Sequence, residues 1–128
     1  MRDMDLIRQV MLDLEAYEQR PSGVSHLTGA SFTIGGYDAD QINYHLDLIN
    51  KAGFIDDGGM RPMVGIGFRR LTWAGHDFVD FTRDKTVWSK TKEAATRAGG
   101  FSVDLLVGIA KEVIKQNVAK LTGGALGL

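Results

Sequence analysis

"YDADQINYHLDLINKAGFI", residues 37–55, contains both the start and the stop signals of a helix. Asp38 and Gln41 have the spacing of a capping box, in which each side chain accepts a hydrogen bond from the backbone of the other residue. Gly53 stands where a helix commonly ends in the left-handed conformation. The sequence therefore predicts a helix that begins at Asp38 and ends near Ala52, with an apolar stripe facing the core.

The segment that follows predicts a hairpin and then another helix. "FIDDGGMRPMVGIGFRRLT", residues 54–72, places apolar stretches on both sides of a glycine-rich loop, which is typical of two paired strands with a long tip. Thr72 is a favourable N-cap for the next helix. The apolar repeat of that helix is expected to face the core and consists of Leu71, Ala74, Phe78 and Phe81.

The N-terminal segment predicts one clear helix and one less regular region. Asp3 caps an amphipathic helix that begins with Met4 and is ended by "RPSG" at residues 20–23. Residues 24–36 carry β-forming residues between small ones, which predicts a loop with a short strand at Phe32–Ile34.

The C-terminal part predicts two further helical segments. Residues 84–100 continue as a helix or a bent extension, and Ser102 caps a final amphipathic helix that runs to about Leu121. We therefore expect an α+β, mostly helical fold. Its first domain spans residues 1–98, and residues 99–128 form a C-terminal amphipathic helix and tail for packing or oligomerisation.

The 128-residue chain has the composition of one globular domain. Its apolar fraction of 44% and charged fraction of 24% are near the averages for folded proteins, and a chain of this size buries roughly two thirds of the surface that it exposes when unfolded. The absence of cysteine excludes disulfides, thiolate metal sites and a cysteine nucleophile. The longest apolar run, at residues 105–110, is far shorter than the roughly 20 residues of a spanning helix. With an N-terminus unlike a signal peptide, we expect a cytoplasmic protein without a transmembrane segment.

The net charge of −1 hides a strong asymmetry between the two halves of the chain. Residues 1–60 contain four Lys/Arg against ten Asp/Glu, a net charge of −6, and residues 61–128 contain eleven against six, a net charge of +5. Such separation creates an acidic and a basic face, which steers partners or favours head-to-tail self-association. The two charges partly cancel if the two ends fold together.

The order of these elements resembles that of a winged-helix domain. In such domains a helix ends at "AG" plus an apolar pair, two wing strands follow, and "LTxxG" opens the next helix; this chain has "KAGFI" and "LTWAG" at these places. The whole chain, most clearly in "MRDMDLIR" and "RLTWAGHDFVDFTRDKTVWSKTK", is similar to a family of short bacterial and phage proteins catalogued as domain of unknown function 2513. The resemblance implies a winged-helix-like domain with a two-stranded wing and additional C-terminal helices. It brings no established activity.

Two features differ from an ordinary helix-turn-helix. No clear second helix lies between the two helices described above, so the two-helix unit that reads DNA is expected to be abbreviated. Residues 38–57 contain five aspartates against Lys51, a local charge of −4, which repels phosphates. The exposed face of this helix is expected to offer Asn43, Tyr44 and Asp47, of which Asn43 is the candidate for a contact with adenine.

The basic residues suitable for phosphate contacts lie after this helix. They indicate a nucleic-acid-binding transcription regulator that grips phosphates through the wing and the basic segment after it, and the alternative is a solvated basic surface. The candidate nucleic-acid-binding residues are Arg61, Arg69, Arg70, Arg83, Lys85, Lys90 and Lys92, together with Asn43 and Tyr44.

The final helix supports a second hypothesis, a protein-interaction or oligomeric scaffold without DNA binding. Its apolar stripe is suited to an interface with another copy or another protein, or to covering the domain's own core. A helix lying on a membrane surface is the weaker alternative, because Asp104, Glu112 and Gln116 dilute its basic face. The stripe consists of Val103, Leu106, Val107, Ala110, Val113, Ile114 and Leu121.

Candidates for chemistry are few, and we expect no enzyme activity, no cofactor and no metal site. The "HD" pair at residues 76–77 is a poor candidate for a shared metal site, because adjacent side chains point in different directions on a helix. A surface ion pair of His76 with Asp80 is expected instead. His45 is expected to pack beside the apolar stripe. For Trp73 and Trp88, packing is expected over stacking on bases.

Overall fold

The computed structural model describes residues 2–17, 23–99 and 102–121, and for residues 103, 104, 107 and 117–121 it describes the backbone only. The fold is α+β and mostly helical. The chain divides into two compact units, Met1–Val79 and Asp80–Leu128. The elements are α1 (Met4–Ala16), β1 (Ser25–Leu27), a 3-10 turn (Gly29–Ser31), α2 (Ala39–Lys51), β2 (Ile55–Asp56), β3 (Ile66–Phe68), β4 (Arg70–Leu71), α3 (Trp73–Thr82), α4 (Lys85–Arg97) and α5 (Val103–Leu121).

The core of the first unit is built where α1 packs against α2. Asp3 caps α1 as predicted, since its side chain accepts a hydrogen bond from the backbone of Leu6 at 3.1 Å. The helix ends at Ala16, and most of the "RPSG" stop signal lies outside the described residues. Fully buried side chains on the two helices include Leu6, Val10, Met11, Leu14, Ile42, Leu46 and Ile49.

The predicted boundaries of α2 are confirmed. The Asp38 side chain accepts from the backbone of Gln41, and the Gln41 side chain accepts from the backbone of Asp38, each at 2.8 Å. Gly53 has a φ of 79° and so takes the left-handed stop conformation. Sequence identified this helix because both of its end signals span only a few residues.

The predicted hairpin is confirmed at its base, where β2 pairs antiparallel with β4. Its second strand is interrupted at Arg69, and the part before the interruption, β3, pairs antiparallel with β1 instead. The predicted strand at Phe32–Ile34 is wrong, because that segment is irregular and the strand lies earlier, at Ser25–Leu27. A strand forms where a partner edge is within reach, and β propensity alone does not supply one.

The "LTxxG" sequence begins α3 and connects the start of this helix to Gly53, just after α2, through the hydroxyl of Thr72. Thr72 is the predicted N-cap, since its Oγ1 accepts from the backbone of Gly75 at 3.1 Å and donates to the carbonyl of Gly53 at 2.6 Å. A Cβ added at Gly75 would lie 2.2 Å from the carbonyl oxygen of Phe54, so the helix and the loop approach too closely for any side chain there.

The predicted core face of α3 is only partly correct. Ala74 is exposed, whereas Gly75, Phe78 and Val79 are buried. The apolar stripe is rotated because the close approach at Gly75 turns that position inward. Phe81, which was also expected to face the core, is half-buried.

The second unit contains the pair α4 and α5, which pack against each other. The predicted bent extension is a separate helix, because Asp84 caps α4 by accepting from the backbone of Val87 at 2.9 Å. Ser102 caps α5 as predicted, accepting from the backbone of Leu105 at 3.1 Å. The division drawn from sequence, between residues 98 and 99, falls inside this unit at the end of α4.

Within the described part of the chain, every helix is too short or too polar to cross a membrane.

Candidate functional site: a groove between α2 and the wing tip

A groove of about 340 Å³ lies between the open face of α2 and the tip of the loop that joins β2 to β3. We call residues 57–71, from this loop to the end of β4, the wing, and the cavity the α2–wing groove. One wall is polar and acidic and comes from the helix, and the other is largely apolar and comes from the wing. The lining residues are Asp40, Asn43, Tyr44, Asp47, Pro62, Met63, Val64 and Gly65.

The helix wall is a single face of α2, because the other three lining residues lie three, four and seven positions after Asp40. Asp40 lies in the first turn and is exposed. Asp47 forms an ion pair with Lys51 at 2.9 Å, and the hydrogen bond and charge of this carboxylate raise the pKa of the Lys51 ammonium. Tyr44 lies between the two carboxylates and is 47% exposed. The wall therefore offers one engaged and one open carboxylate beside an aromatic ring.

The wing wall exposes apolar surface. The Met63 side chain is fully exposed and Val64 is 56% exposed. Covering two adjacent large apolar side chains at a loop tip removes their surface from water, which favours binding. The wing tip therefore supplies the groove with an apolar contact surface.

The wing tip is held in place by β1. The Nε2 of His26 donates a hydrogen bond to the carbonyl oxygen of Val64 at 2.7 Å, across 38 residues of sequence. Gly65 has a φ of 81°, and a Cβ there would lie 2.1 Å from the carbonyl oxygen of Leu27. Only glycine fits this position, and the close approach presses the tip against β1.

The other wall is positioned by a buried histidine. His45 on α2 is 3% exposed, and its Nδ1 donates to the carbonyl of Gln41 at 2.7 Å while its Nε2 accepts from the backbone nitrogen of Asp3 at 2.8 Å. Both ring nitrogens are thus engaged by backbone, and the ring is neutral in this arrangement. His45 is a packing residue, as predicted, and it joins α2 to the start of α1.

A tyrosine reinforces the same junction. The Tyr37 hydroxyl donates to the second carboxylate oxygen of Asp3 at 2.6 Å. This hydrogen bond, together with burial and the charge of the carboxylate, raises the pKa of Tyr37 to about 12. Asp3 therefore serves three partners: it caps α1, accepts from Tyr37 and donates its backbone hydrogen to His45.

Asn43, the candidate for a contact with adenine, has a structural contact. Its Oδ1 accepts from the backbone nitrogen of Gly29 at 2.7 Å and so fastens the 3-10 turn to α2. A two-point contact with adenine needs both the oxygen and the nitrogen of the amide. Because the oxygen is already engaged, Asn43 is poorly placed for base recognition, whereas Tyr44 remains on the open face.

The basic residues of the wing lie beside carboxylates. The Arg61 guanidinium is 3.6 Å from Asp57, and that of Arg70 is 4.0 Å from Asp56. The Nε of Arg69 is buried and has no hydrogen-bond partner among the described residues. The wing arginines therefore present less free positive charge than their number in the sequence indicates.

The remaining basic candidates lie in the second unit. Arg83 pairs with Asp80 at 3.4 Å, so Asp80 is engaged by an arginine. Lys92 stands over the ring of Trp88, 5.7 Å from its centroid. Lys85 and Lys90 are exposed on α4. The predicted basic set is thus divided between two units.

The apolar stripe of α5 is partly used within the chain. Leu106 and Ala110 are fully buried, and Val113 and Ile114 are half-buried. The side chains of Val103, Val107 and Leu121 lie outside the described residues. Leu106 and Ala110 consequently offer no surface to a second copy.

The two tryptophans differ in exposure. Trp88 is 4% exposed and packs as predicted, whereas Trp73, at the start of α3, is 85% exposed. In the described residues, no three His, Asp or Glu side chains converge into a possible metal site.

Sequence reasoning found the helix wall of the groove and missed its wing wall. Met63 and Val64 belong to a glycine-rich tip, and nothing in their spacing tells which side chains of a loop point outward. His26 gave no signal either, since its partner is 38 residues away. The one usable signal was the acidic charge of α2, which conflicted with a phosphate-binding role.

Comparison with known proteins gives a family and one relative. The profile of a family described as "Hypothetical protein (DUF2513)" matches residues 1–102. A Haemophilus influenzae protein described as "Uncharacterized protein" is 31% identical over 121 residues, which cover 92% of this chain and 98% of the relative. No solved structure matches the chain significantly.

Proposed function

We propose that this chain, which belongs to the family described as "Hypothetical protein (DUF2513)", is a non-enzymatic winged-helix module that binds another protein in the α2–wing groove. The order of elements supports the winged-helix assignment. A helix, a short strand, a second helix, a hairpin and the "LTxxG" helix follow one another, and the strand before α2 pairs with the chain that returns from the wing.

The observation that carries the proposal is the chemistry of the groove. In a winged-helix protein that reads DNA, the open face of α2 and the wing would meet the phosphate backbone, where affinity comes from Lys and Arg. Here that face carries Asp40 and Asp47, and its lysine is paired with Asp47. The facing wing tip carries Met63 and Val64 exposed to water. Carboxylates beside apolar side chains suit a protein surface better than a phosphate chain.

A site-specific photo-cross-link tests the proposal. The photoreactive amino acid p-benzoyl-phenylalanine is placed at Met63 in the full chain, and the cells of its natural host are irradiated. A matched control places the same amino acid at Glu112, which is exposed on α5. We expect nuclease-resistant adducts of defined mass from position 63 and none from position 112.

The same experiment contains the results that would contradict the proposal. Adducts whose mass falls to that of the free protein on nuclease treatment would make the groove a nucleic-acid site. Equal adducts from both positions would show that the groove has no special affinity for protein.

A second candidate function, nucleic-acid binding, is favoured by the open face of α4. Its buried side chains are Val87, Trp88, Thr91 and Ala95, and the exposed positions carry three cations against one acid. Those exposed charged residues are Lys85, Lys90, Arg97 and Glu93, with Arg97 paired to Glu93. Such a face contacts phosphates without reading bases.

A DNA titration of the full chain at two salt concentrations tests this candidate. Binding through Lys85 and Lys90 weakens steeply as salt rises, and the double variant Lys85→Glu, Lys90→Glu loses it. The double variant Arg69→Glu, Arg70→Glu tests in the same way whether the wing contributes to DNA binding. Unchanged affinity in both double variants would rule out a phosphate grip by the predicted basic residues.

A further inference from the structure

We infer that the α2–wing groove takes a short segment of a partner protein in which a lysine or arginine flanks a large apolar side chain. This inference rests on the proposed function and adds the chemistry of the partner. The two walls of the groove differ in chemistry, so each specifies a different part of the segment.

The carboxylate wall specifies the cation. Asp47 is engaged by Lys51 at 2.9 Å, whereas Asp40 has no ion pair or side-chain hydrogen bond to any residue in the described ranges. Asp40 is therefore the open charge of the groove. An exposed ion pair of this kind contributes modestly to affinity, so its main effect is to discriminate against an acidic segment.

The wing wall specifies the apolar side chain. Met63 is fully exposed, and its unbranched thioether side chain adjusts to the shape of what it covers. Val64 is held by its carbonyl bond to His26, so the apolar wall is adaptable at Met63 and fixed at Val64. A leucine- or methionine-sized side chain against this pair removes apolar surface from water on both partners.

The size of the groove limits the segment. A volume of about 340 Å³ is at the small end of ligand-binding sites, which range over roughly 300–1,000 Å³. It accommodates one or two side chains of an extended segment and not the face of a whole helix. The recognised unit is therefore an apolar residue with an adjacent cation.

Three labelled peptides provide the test. The full chain at low salt is titrated, with fluorescence anisotropy as the readout, against Gly-Lys-Leu-Lys-Gly, Gly-Glu-Leu-Glu-Gly and Gly-Lys-Ala-Lys-Gly. We expect the first peptide to bind at least about fivefold more tightly than the second, which reverses the charge, and than the third, which removes the apolar side chain; fivefold corresponds to about 1 kcal/mol.

Variants assign the binding to the groove. Asp40→Asn is expected to weaken binding of the lysine-leucine peptide about twofold to fivefold, and Met63→Ala about threefold to tenfold, while thermal unfolding stays that of the wild type. Matched controls outside the groove are Glu112→Lys, which reverses another exposed carboxylate, and Trp73→Ala, which removes another exposed apolar side chain. Both controls are expected to bind like the wild type.

Several results would overturn the inference. These are equal binding of the acidic peptide, no binding of the lysine-leucine peptide, or equal losses in the groove variants and their controls. If any of these is found while position 63 still cross-links to protein, the partner chemistry is wrong and the proposed function stands. If position 63 cross-links to nucleic acid, the proposed function and this inference fail together.

Discussion

The first compact unit is tied together by hydrogen bonds between distant residues, whereas the helices of the second begin on local ones. The Asp3 backbone bonds to His45 across 42 residues, and His26 bonds to the Val64 carbonyl across 38. In contrast, the caps of α4 and α5 each span three residues. Both units contain amphipathic helices, and in the first unit these two long-range polar contacts fix where its surfaces lie.

This difference separates two kinds of surface. The walls of the α2–wing groove are positioned from behind by His45 and His26, so the groove is preformed and a ligand loses little by ordering it. The basic face of α4 is a continuous helix face whose charges are set by spacing alone. A preformed groove suits recognition of particular side chains, and a charged helix face suits contacts without sequence preference.

The largest effect is expected at the close approach of Gly75 to Phe54. Gly75→Ala places a Cβ 2.2 Å from a backbone oxygen, and we expect it to lower the free energy of unfolding by about 3 kcal/mol or more. The matched change in the second unit is Gly108→Ala, where a Cβ meets nothing within 4 Å. This variant is expected to gain about 0.5–1 kcal/mol, because alanine is the better helix former. Urea unfolding of both variants measures the two changes in the free energy of unfolding. Equal changes would show that the close approach at Gly75 has no special effect on stability.

Next in size is the buried histidine. His45→Ala leaves the backbone nitrogen of Asp3 without its partner and opens a cavity, for an expected loss of about 2–4 kcal/mol. The counterpart in α4 is Thr91, which is buried and donates to the Val87 carbonyl at 2.6 Å. Thr91→Val is expected to cost less than about 1 kcal/mol, because that carbonyl keeps its helical bond. A smaller loss in the histidine variant than in the threonine variant would contradict the account of the α1–α2 junction.

A pH-dependent effect follows from Tyr37. Its pKa is raised from 10.0 to about 12 in the folded state, so the folded state favours the neutral phenol. The corresponding stabilisation is fully present below pH 10.0 and is lost as the pH rises through about 12. Tyr37→Phe is expected to cost about 1 kcal/mol at neutral pH and to flatten this alkaline loss. Denaturant midpoints of both proteins across that range measure it, and parallel curves would show that Tyr37 does not contribute.

The smallest effect on stability is expected from the anchor of the wing. His26 is exposed, so His26→Ala is expected to change the free energy of unfolding by less than about 1 kcal/mol. It frees the Val64 carbonyl and loosens one wall of the groove. We therefore expect faster amide hydrogen exchange at Gly65 and weaker binding of the lysine-leucine peptide. Unchanged exchange in this variant would mean that the close approach at Gly65 alone holds the wing.

Sequence predicted those parts of the fold whose signals are local. The caps at Asp3, Asp38, Thr72 and Ser102 were predicted, because each joins residues three positions apart, whereas the cap at Asp84, which is equally local, was not. The pairing of β1 with β3 and the bonds of Asp3 to His45 were not, since no spacing relates residues some 40 positions apart along the chain.

The candidate site shows the same division. The acidic face of α2 was predicted, because helical periodicity states which residues share a face. The exposure of Met63 and Val64 was not, because the path of an irregular loop depends on its anchors. The ion pairs of the basic set were not predicted either, since the sequence does not show that Arg61, Arg70 and Arg83 each lie beside an aspartate.

The most direct test compares which residues of the protein respond to each of two ligands. Proton–nitrogen correlation NMR spectra of the full chain are recorded with the lysine-leucine peptide and, separately, with a DNA duplex of mixed sequence. We expect the peptide to shift the amide resonances of residues 40–47 and 63–65, and DNA to leave them unchanged. Shifts of these same amides by DNA, with none from the peptide, would contradict this expectation.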